Sequence, residues 1–210
     1  MEILGKLFGS PARVKIMRLF LLNPDRGFET KEVTTRVRVQ SARARKEITI
    51  LSAIGLIQKK NIFREVTDAR GKVKKKRIQA WFLKQSFPFI GPLKSFLIDS
   101  EFLKKESIAT RFRRAGKIKL LVIAGVFIQE PDSRLDILIV GDNLKRKTLD
   151  DTVRMLESEV GKDLSYAVFD TKEFSYRVEM YDKLVWDMLD FAHEKVIDNK
   201  EFSTQFLKKI

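Results

Sequence analysis

Apolar residues in the first fifty positions recur at helical spacing, broken at intervals by capping and turn residues. Ser10-Pro11 opens a helix, since Ser is a good N-cap and Pro fits the first helical position, where its missing N–H costs nothing. That helix is expected to reach about Leu22, with Ile16, Leu19 and Phe20 on one face, and to stop at Asn23-Pro24. A turn follows at Asp25-Arg26-Gly27. Thr30 then stands where it can cap a short second helix, Lys31 to about Arg36, with Val33 inward and Val37–Val39 forming the next turn. The third helix starts near Gln40-Ser41 and ends at Gly55, a residue type suited to the position just past a helix. At about 100° per residue, Ala44, Ile48 and Leu51 share an apolar face. Ala42, Arg45, Lys46 and Thr49 occupy the opposite face beside Ser41, and Arg43 lies at the flank.

Beyond Gly55 the period changes. Leu56–Val66 can enter a strand, and Thr67-Asp68-Ala69-Arg70-Gly71-Lys72 is a turn cluster. Lys74–Arg77 then lead into Ile78, Ala80 and Phe82, which alternate as a half-buried strand would. Phe87–Pro92 breaks the pattern. Helical spacing resumes from Leu93 to about Ala115 through Phe96, Leu97, Phe102, Leu103, Ile108 and Phe112, with an interruption at Asp99-Ser100 and an end at Gly116. Ile118–Ala124 is an apolar run broken only by Lys119, suited to a strand buried on both faces. Gly125 and a polar loop, Gln129–Arg134, separate it from a second such strand, Leu135–Gly141. A helix fits Thr148 to about Glu159 with Val153, Leu156 and Val160 inward, and Leu164–Phe169 makes a third strand. Thr171 is expected to cap another helix, and a last helix, about Met180–Phe191, precedes Lys195-Val196-Ile197. The pattern is α+β in two domains: residues 1–86, a connecting helix over 87–116, an α/β domain over 117–198 and a tail over 199–210.

Composition narrows the chemistry. The 210 residues include no Cys and a single histidine, His193. Disulfides, Cys-built zinc sites and iron–sulfur clusters are excluded, and His-dependent nucleophilic catalysis would have to use that one residue. The longest apolar run, Leu120–Ile128, falls well short of the ~20 residues a membrane helix needs, and no secretory signal is visible, so a cytoplasmic protein away from the membrane is expected. The formal charge of +14 is uneven. Residues 1–116 hold 27 Lys and Arg against 10 Asp and Glu, or +17, while residues 117–210 hold 15 against 18, or −3. Nucleic-acid affinity rests largely on phosphate neutralisation, for which only the first half is equipped.

Two helices, a turn and a third helix with a basic outer face make the layout of a helix-turn-helix reader, and the two strands after it form a basic wing. The segment Ser41–Ile57, ending Leu51-Ser-Ala-Ile-Gly-Leu-Ile57, resembles the recognition helix and turn of winged-helix transcription regulators over about residues 8–84. The resemblance implies a third helix in the major groove of double-stranded DNA. Arg45 and Lys46, with Ser41, Ala42 and Thr49, then approach base edges, and Arg43 meets phosphate. Arg43 could instead pair with Glu47 four residues on. Arg70, Lys72, Lys74, Lys75 and Lys76 would hold phosphate or probe the minor groove. A homodimer, matched to a palindromic operator, is a further expectation from this likeness.

The strand–Gly–loop–strand–helix–strand order over about residues 117–198 resembles the minimal nucleotidyltransferase (polymerase-β-like) fold, whose chemistry needs two or three carboxylates on Mg²⁺ after a Gly-Ser turn. Gly125 matches the family glycine and Asp136 the second acid. Val126 stands in place of Ser, Arg134 in place of the first acid, and Ser165 near the third, with Asp163 two residues away. An Arg at the first position opposes metal binding, so no nucleotidyl transfer, metal or cofactor is expected, and Asp136 is expected to pair with Arg134 or a nearby Lys. Tyr176-Arg177 and Trp186-Asp187 read as helix packing and solvated charge, and His193 as a surface residue near the end of the last helix. Asp163–Asp182, where a strand leads into Glu-Phe-Ser-Tyr-Arg, strengthens a resemblance of the whole chain to prokaryotic regulators that join a winged helix to a degenerate nucleotidyltransferase-like domain. The expected function is therefore sequence-specific DNA binding in transcription regulation, the second domain serving assembly or the sensing of a small-molecule or protein effector. The alternatives are an active nucleotidyltransferase with a nucleic-acid-binding domain, a nucleotide-sensing repressor, and an RNA-binding module.

Overall fold

Helix-forming and strand-forming periods alternate along the chain as two separate cores require. A computed structural model describes residues 2–67, 71, 73–99, 105–130 and 132–206. The fold is mixed α and β with two small sheets. Contacts divide the chain into two compact units, Met1–Phe102 with Leu156–Lys162, and Leu103–Met155 with Asp163–Ile210. The segment 87–116 is thus shared between them. No helix among the described residues is long and apolar enough to cross a membrane.

In the first unit, a short helix α1 (Glu2–Leu7) precedes α2 (Pro11–Leu22). Ser10 caps α2 as expected, its side chain accepting from the Arg13 amide. Ile16, Leu19 and Phe20 of α2 are buried as expected, and Val14, Met17 and Leu21 are buried with them. A helix apolar nearly all round belongs at the centre of its core. Arg18 is buried with them and donates to the carbonyls of Leu97, at 2.8 Å, and Glu159, at 3.1 Å. Burial pushes its guanidinium down to about 10, against the pull of Glu159. Next come α3 (Thr30–Val37) and α4 (Ser41–Ala53). Thr30 is the first helical residue, not the cap, which is Glu29. Its hydroxyl accepts from the Trp81 indole N–H at 3.0 Å. Val37 is helical and buried, so the turn between α3 and α4 begins at Arg38, which takes a left-handed φ of 51°.

Gly55, at φ 79°, reverses the chain after α4 and lets the Leu56 amide bond back to Leu51. The chain then enters β1 (Ile57–Thr67), which pairs antiparallel with β2 (Val73–Leu83) in one unbroken register. Phe28 bridges to Trp81 along the outer edge of β2. The single helix expected from Leu93 begins earlier, as α5 (Ile90–Lys94), and loosens into a π-helical segment, Ser95–Asp99. Leu97 and Ile98 are buried there, whereas Phe96 is half exposed. Expected core residues Phe102 and Leu103 lie outside the described residues.

The second unit holds α6 (Lys105–Arg113), β3 (Lys117–Ile123), β4 (Ile137–Asp142), α7 (Arg146–Val160) and β5 (Tyr166–Phe169). After these come α8 (Thr171–Glu179), α9 (Lys183–Asp190), β6 (Glu194–Asp198) and α10 (Lys200–Phe206). The last residues of α7, from Leu156, belong to the first unit. The sheet order is β5-β4-β3-β6, with β3 antiparallel to β4 and β6, and β4 parallel to β5. Leu120, Val122, Leu138, Val140, Phe174 and Val185 centre its core. Asp170, not Thr171, caps α8, accepting from the Glu173 amide. The last predicted helix starts later than Met180, because Tyr181 is left-handed and Asp182 caps α9 by accepting from the Leu184 and Val185 amides. Where a tail was expected from residue 199, α10 forms and buries Phe202.

Candidate nucleic-acid interface

The burial of α4 follows its sequence period. Ala44, Ile48 and Leu51 are buried, as is Glu47, while Ser41, Ala42, Arg43, Arg45, Lys46 and Thr49 are all exposed. The Thr49 hydroxyl donates to the Arg45 carbonyl at 3.0 Å, and Arg45 Nε lies 3.4 Å from the Ser41 carbonyl. The exposed face therefore carries two guanidinium groups, one ammonium and two hydroxyls within two and a half turns. An i,i+4 pair between Arg43 and Glu47 is not formed. Glu47 instead accepts from Arg13 Nε of α2 at 2.8 Å, and Arg13 also donates to the Phe8 carbonyl. That ion pair holds α4 to α2.

Lys74, Lys75 and Lys76 are exposed on β2 together with Arg77. They do not form one patch. Adjacent strand residues point to opposite faces, so Lys75 and Arg77 stand on one side of the hairpin and Lys74 and Lys76 on the other. Arg70 and Lys72, expected at the tip, lie outside the described residues. On β1, Arg64 donates to Glu29 at 3.1 Å and to Glu32 at 3.4 Å, tying the hairpin to α3.

In the second unit Gly125 and Asp136 do meet, but the chemistry is main-chain scaffolding. Gly125 has φ 54°, and a Cβ there would overlap the Asp136 carboxylate. Asp136 is buried; its Oδ1 accepts from the Val126 amide and its Oδ2 from the Ser165 amide, each at 2.8 Å. One carboxylate thus ties the turn after β3 to the start of β5. The expected pairing of Asp136 with Arg134 is incorrect: Arg134 reaches Asp187 of α9 at 2.8 Å. Asp187 and Arg177 are accordingly bridged charges and not merely solvated ones, Arg177 holding Glu173 and Asp182. Glu173 is the leading cause of a raised Arg177 pKa. Trp186 donates to the Val178 carbonyl and stacks on Tyr181 at 5.2 Å, whereas Tyr176 is exposed. His193 is half-buried just past α9, with Nδ1 at 2.9 Å from the Phe191 carbonyl. Among the described residues, no three His, Asp or Glu side chains gather as a metal ion would require.

One polar cluster was not anticipated. Lys119 Nζ lies 2.7 Å from Asp142 Oδ2 and donates to the Thr171 hydroxyl at 2.8 Å, while the Thr171 amide and hydroxyl both donate to Asp142. Its members are 52 residues apart at the extreme. The only local signal was a Lys inside the apolar run of β3. Hydrogen bonding from Lys119 and then from the Thr171 amide holds the Asp142 carboxyl down at about 2. Compared with known proteins, the chain matches no family model, no curated protein and no solved structure.

Proposed function

We propose that the chain is a sequence-specific, double-stranded-DNA-binding transcription regulator whose first unit is a winged helix-turn-helix. In this reading α3 and α4 are the helix-turn-helix pair and the β1–β2 hairpin is the wing. The observation that carries it is the division of α4: Ala44, Glu47, Ile48 and Leu51 are buried, and Ser41, Ala42, Arg43, Arg45, Lys46 and Thr49 are exposed on the opposite side. A helix anchored along one face and cationic along the other can enter a major groove without unpacking. Arg45 and Lys46 contact base edges, with guanine the usual partner of such side chains, and Arg43 contacts phosphate. The regulator acts in the cytoplasm as a homodimer on a palindromic site.

The second unit, in the same proposal, is a degenerate nucleotidyltransferase-like domain that senses an effector or mediates assembly and transfers no nucleotide. Support comes from Asp136, whose two carboxylate oxygens are engaged by main-chain amides. Arg134, at the position of the family's first acid, is engaged with Asp187.

Selection of bound duplexes from a random pool at near-physiological salt tests the reading. The expected result is an enriched palindrome. Arg45→Ala with Lys46→Ala should abolish the enrichment while leaving stability within ~0.5 kcal/mol, since both side chains are exposed. Equal affinity for every duplex would overturn the proposal, as would sustained nucleotide incorporation abolished by Asp136→Ala.

A further inference from the structure

The register of the hairpin sorts its side chains into two unlike faces, because directly paired residues stand on the same side of a two-stranded sheet. Lys60 and Ala80, Ile62 and Ile78, and Arg64 and Lys76 are pairs on one face. That face is committed to the body of the first unit. Ala80 is buried, Ile62 and Ile78 are half-buried, and Arg64 is held by Glu29 and Glu32. The other face is buried only at its base, where Ile57 pairs with Leu83; beyond Lys59 and Trp81 it carries the pairs Asn61 with Gln79, Phe63 with Arg77, and Glu65 with Lys75, and all six of these residues are exposed. Phe63 is 72% exposed. A bare phenyl ring in the middle of a strand, with a guanidinium directly opposite and two carboxamides in the next rung, is an unusual surface for a hairpin that only neutralises phosphate.

These groups have a shared use. Carboxamides match the donor–acceptor edge of adenine, a guanidinium matches guanine, and a phenyl ring packs on a thymine methyl or a base face. A two-stranded ribbon is narrow enough to lie in the major groove. Each strand has 11 residues, about 36 Å of extended chain, and the base of the hairpin is anchored by buried Ile57, Ala80 and Leu83. Its distal half is left to project. We propose that the distal part of this second face of the hairpin is a second base-contacting surface for duplex DNA, with Phe63 as its apolar contact and Arg77, Asn61 and Gln79 as its polar readers. The inference rests on the reading of the first unit as a duplex-DNA binder. It adds that the hairpin reads sequence.

The test uses the full-length chain and Phe63→Ala, titrated at several salt concentrations with a duplex enriched by the wild type. Loss of the ring should weaken binding by about tenfold at every salt concentration. The slope of log affinity against log salt should not change, because no cation is removed. Lys75→Ala, by contrast, should reduce that slope by about 0.9 if its ammonium meets a phosphate. The Tm of Phe63→Ala should equal that of the wild type, and a repeated selection with the variant should lose preference at a subset of positions. Unchanged affinity and an unchanged selected sequence overturn the inference, as does a loss of equal size on single-stranded DNA. These outcomes are distinct from failure of the underlying reading, in which the wild type itself selects no duplex.

Discussion

Both oxygens of Asp136 serve the main chain, and that decides what the residue does. The Val126 and Ser165 amides it accepts from belong to segments 39 residues apart, and the residue itself is buried. Replacing it with Ala would leave two amides without their acceptor in a part-buried site, at a cost of about 1–3 kcal/mol. Asp136→Asn keeps one acceptor oxygen and should cost about half as much. Urea unfolding monitored through the second unit should show that order, and equal midpoints for the two variants would contradict it. The motif was legible as a Gly and an Asp at family-like spacing, but its use was not. Spacing says where a carboxylate stands along a strand; it does not say which amides the fold brings to it. Arg134 shows the same limit, since its partner, Asp187, lies 53 positions further on.

At the scale of elements, α4 was the most legible part of the chain. Its apolar positions share an arc, and Gly55 supplies the left-handed residue that ends it. Glu47 lies about 40° from Leu51 on the same wheel, so its burial was readable as an angle. Its partner Arg13, on another helix, was not. That pair supports a second prediction. Glu47→Ala should destabilise the first unit by about 1–3 kcal/mol, because a buried acid and its hydrogen bond are lost while Arg13 keeps the Phe8 carbonyl and some solvent. Thermal unfolding should place this variant well below Arg45→Ala with Lys46→Ala, which changes only exposed side chains. If the two lowered Tm equally, α4 would not be anchored as described. By contrast, α2 is buried beyond its expected face. Ile16, Leu19 and Phe20 are buried as their shared face predicts, and Val14, Met17 and Leu21, which make the helix apolar nearly all round, are buried beside them. A one-face rule suits surface helices; α2 is surrounded.

Over the whole molecule, acid should act mainly through the less basic half. Residues 117–210 carry 18 of the 28 acidic groups, and their protonation converts a near-neutral segment into a cationic one. Asp142 gives this a specific site. Its carboxyl stands at about 2, below its ordinary 3.8, because Lys119 and the Thr171 amide hold the ionised form. Between those two values the unfolded chain binds the proton and the folded one does not, so stability rises with pH across that window. The stabilisation is complete above about 3.8 and is lost as pH falls toward 2. Asp142→Asn removes this dependence. Its Tm should be somewhat lower than that of the wild type at neutral pH, by a small amount since the side chain is 41% exposed and open to screening. On acidification from pH 5 to about pH 2 the two curves should converge. Parallel curves would mean that the Lys119–Asp142–Thr171 cluster contributes nothing to the acid limb, and that loss of stability there arises from general repulsion alone.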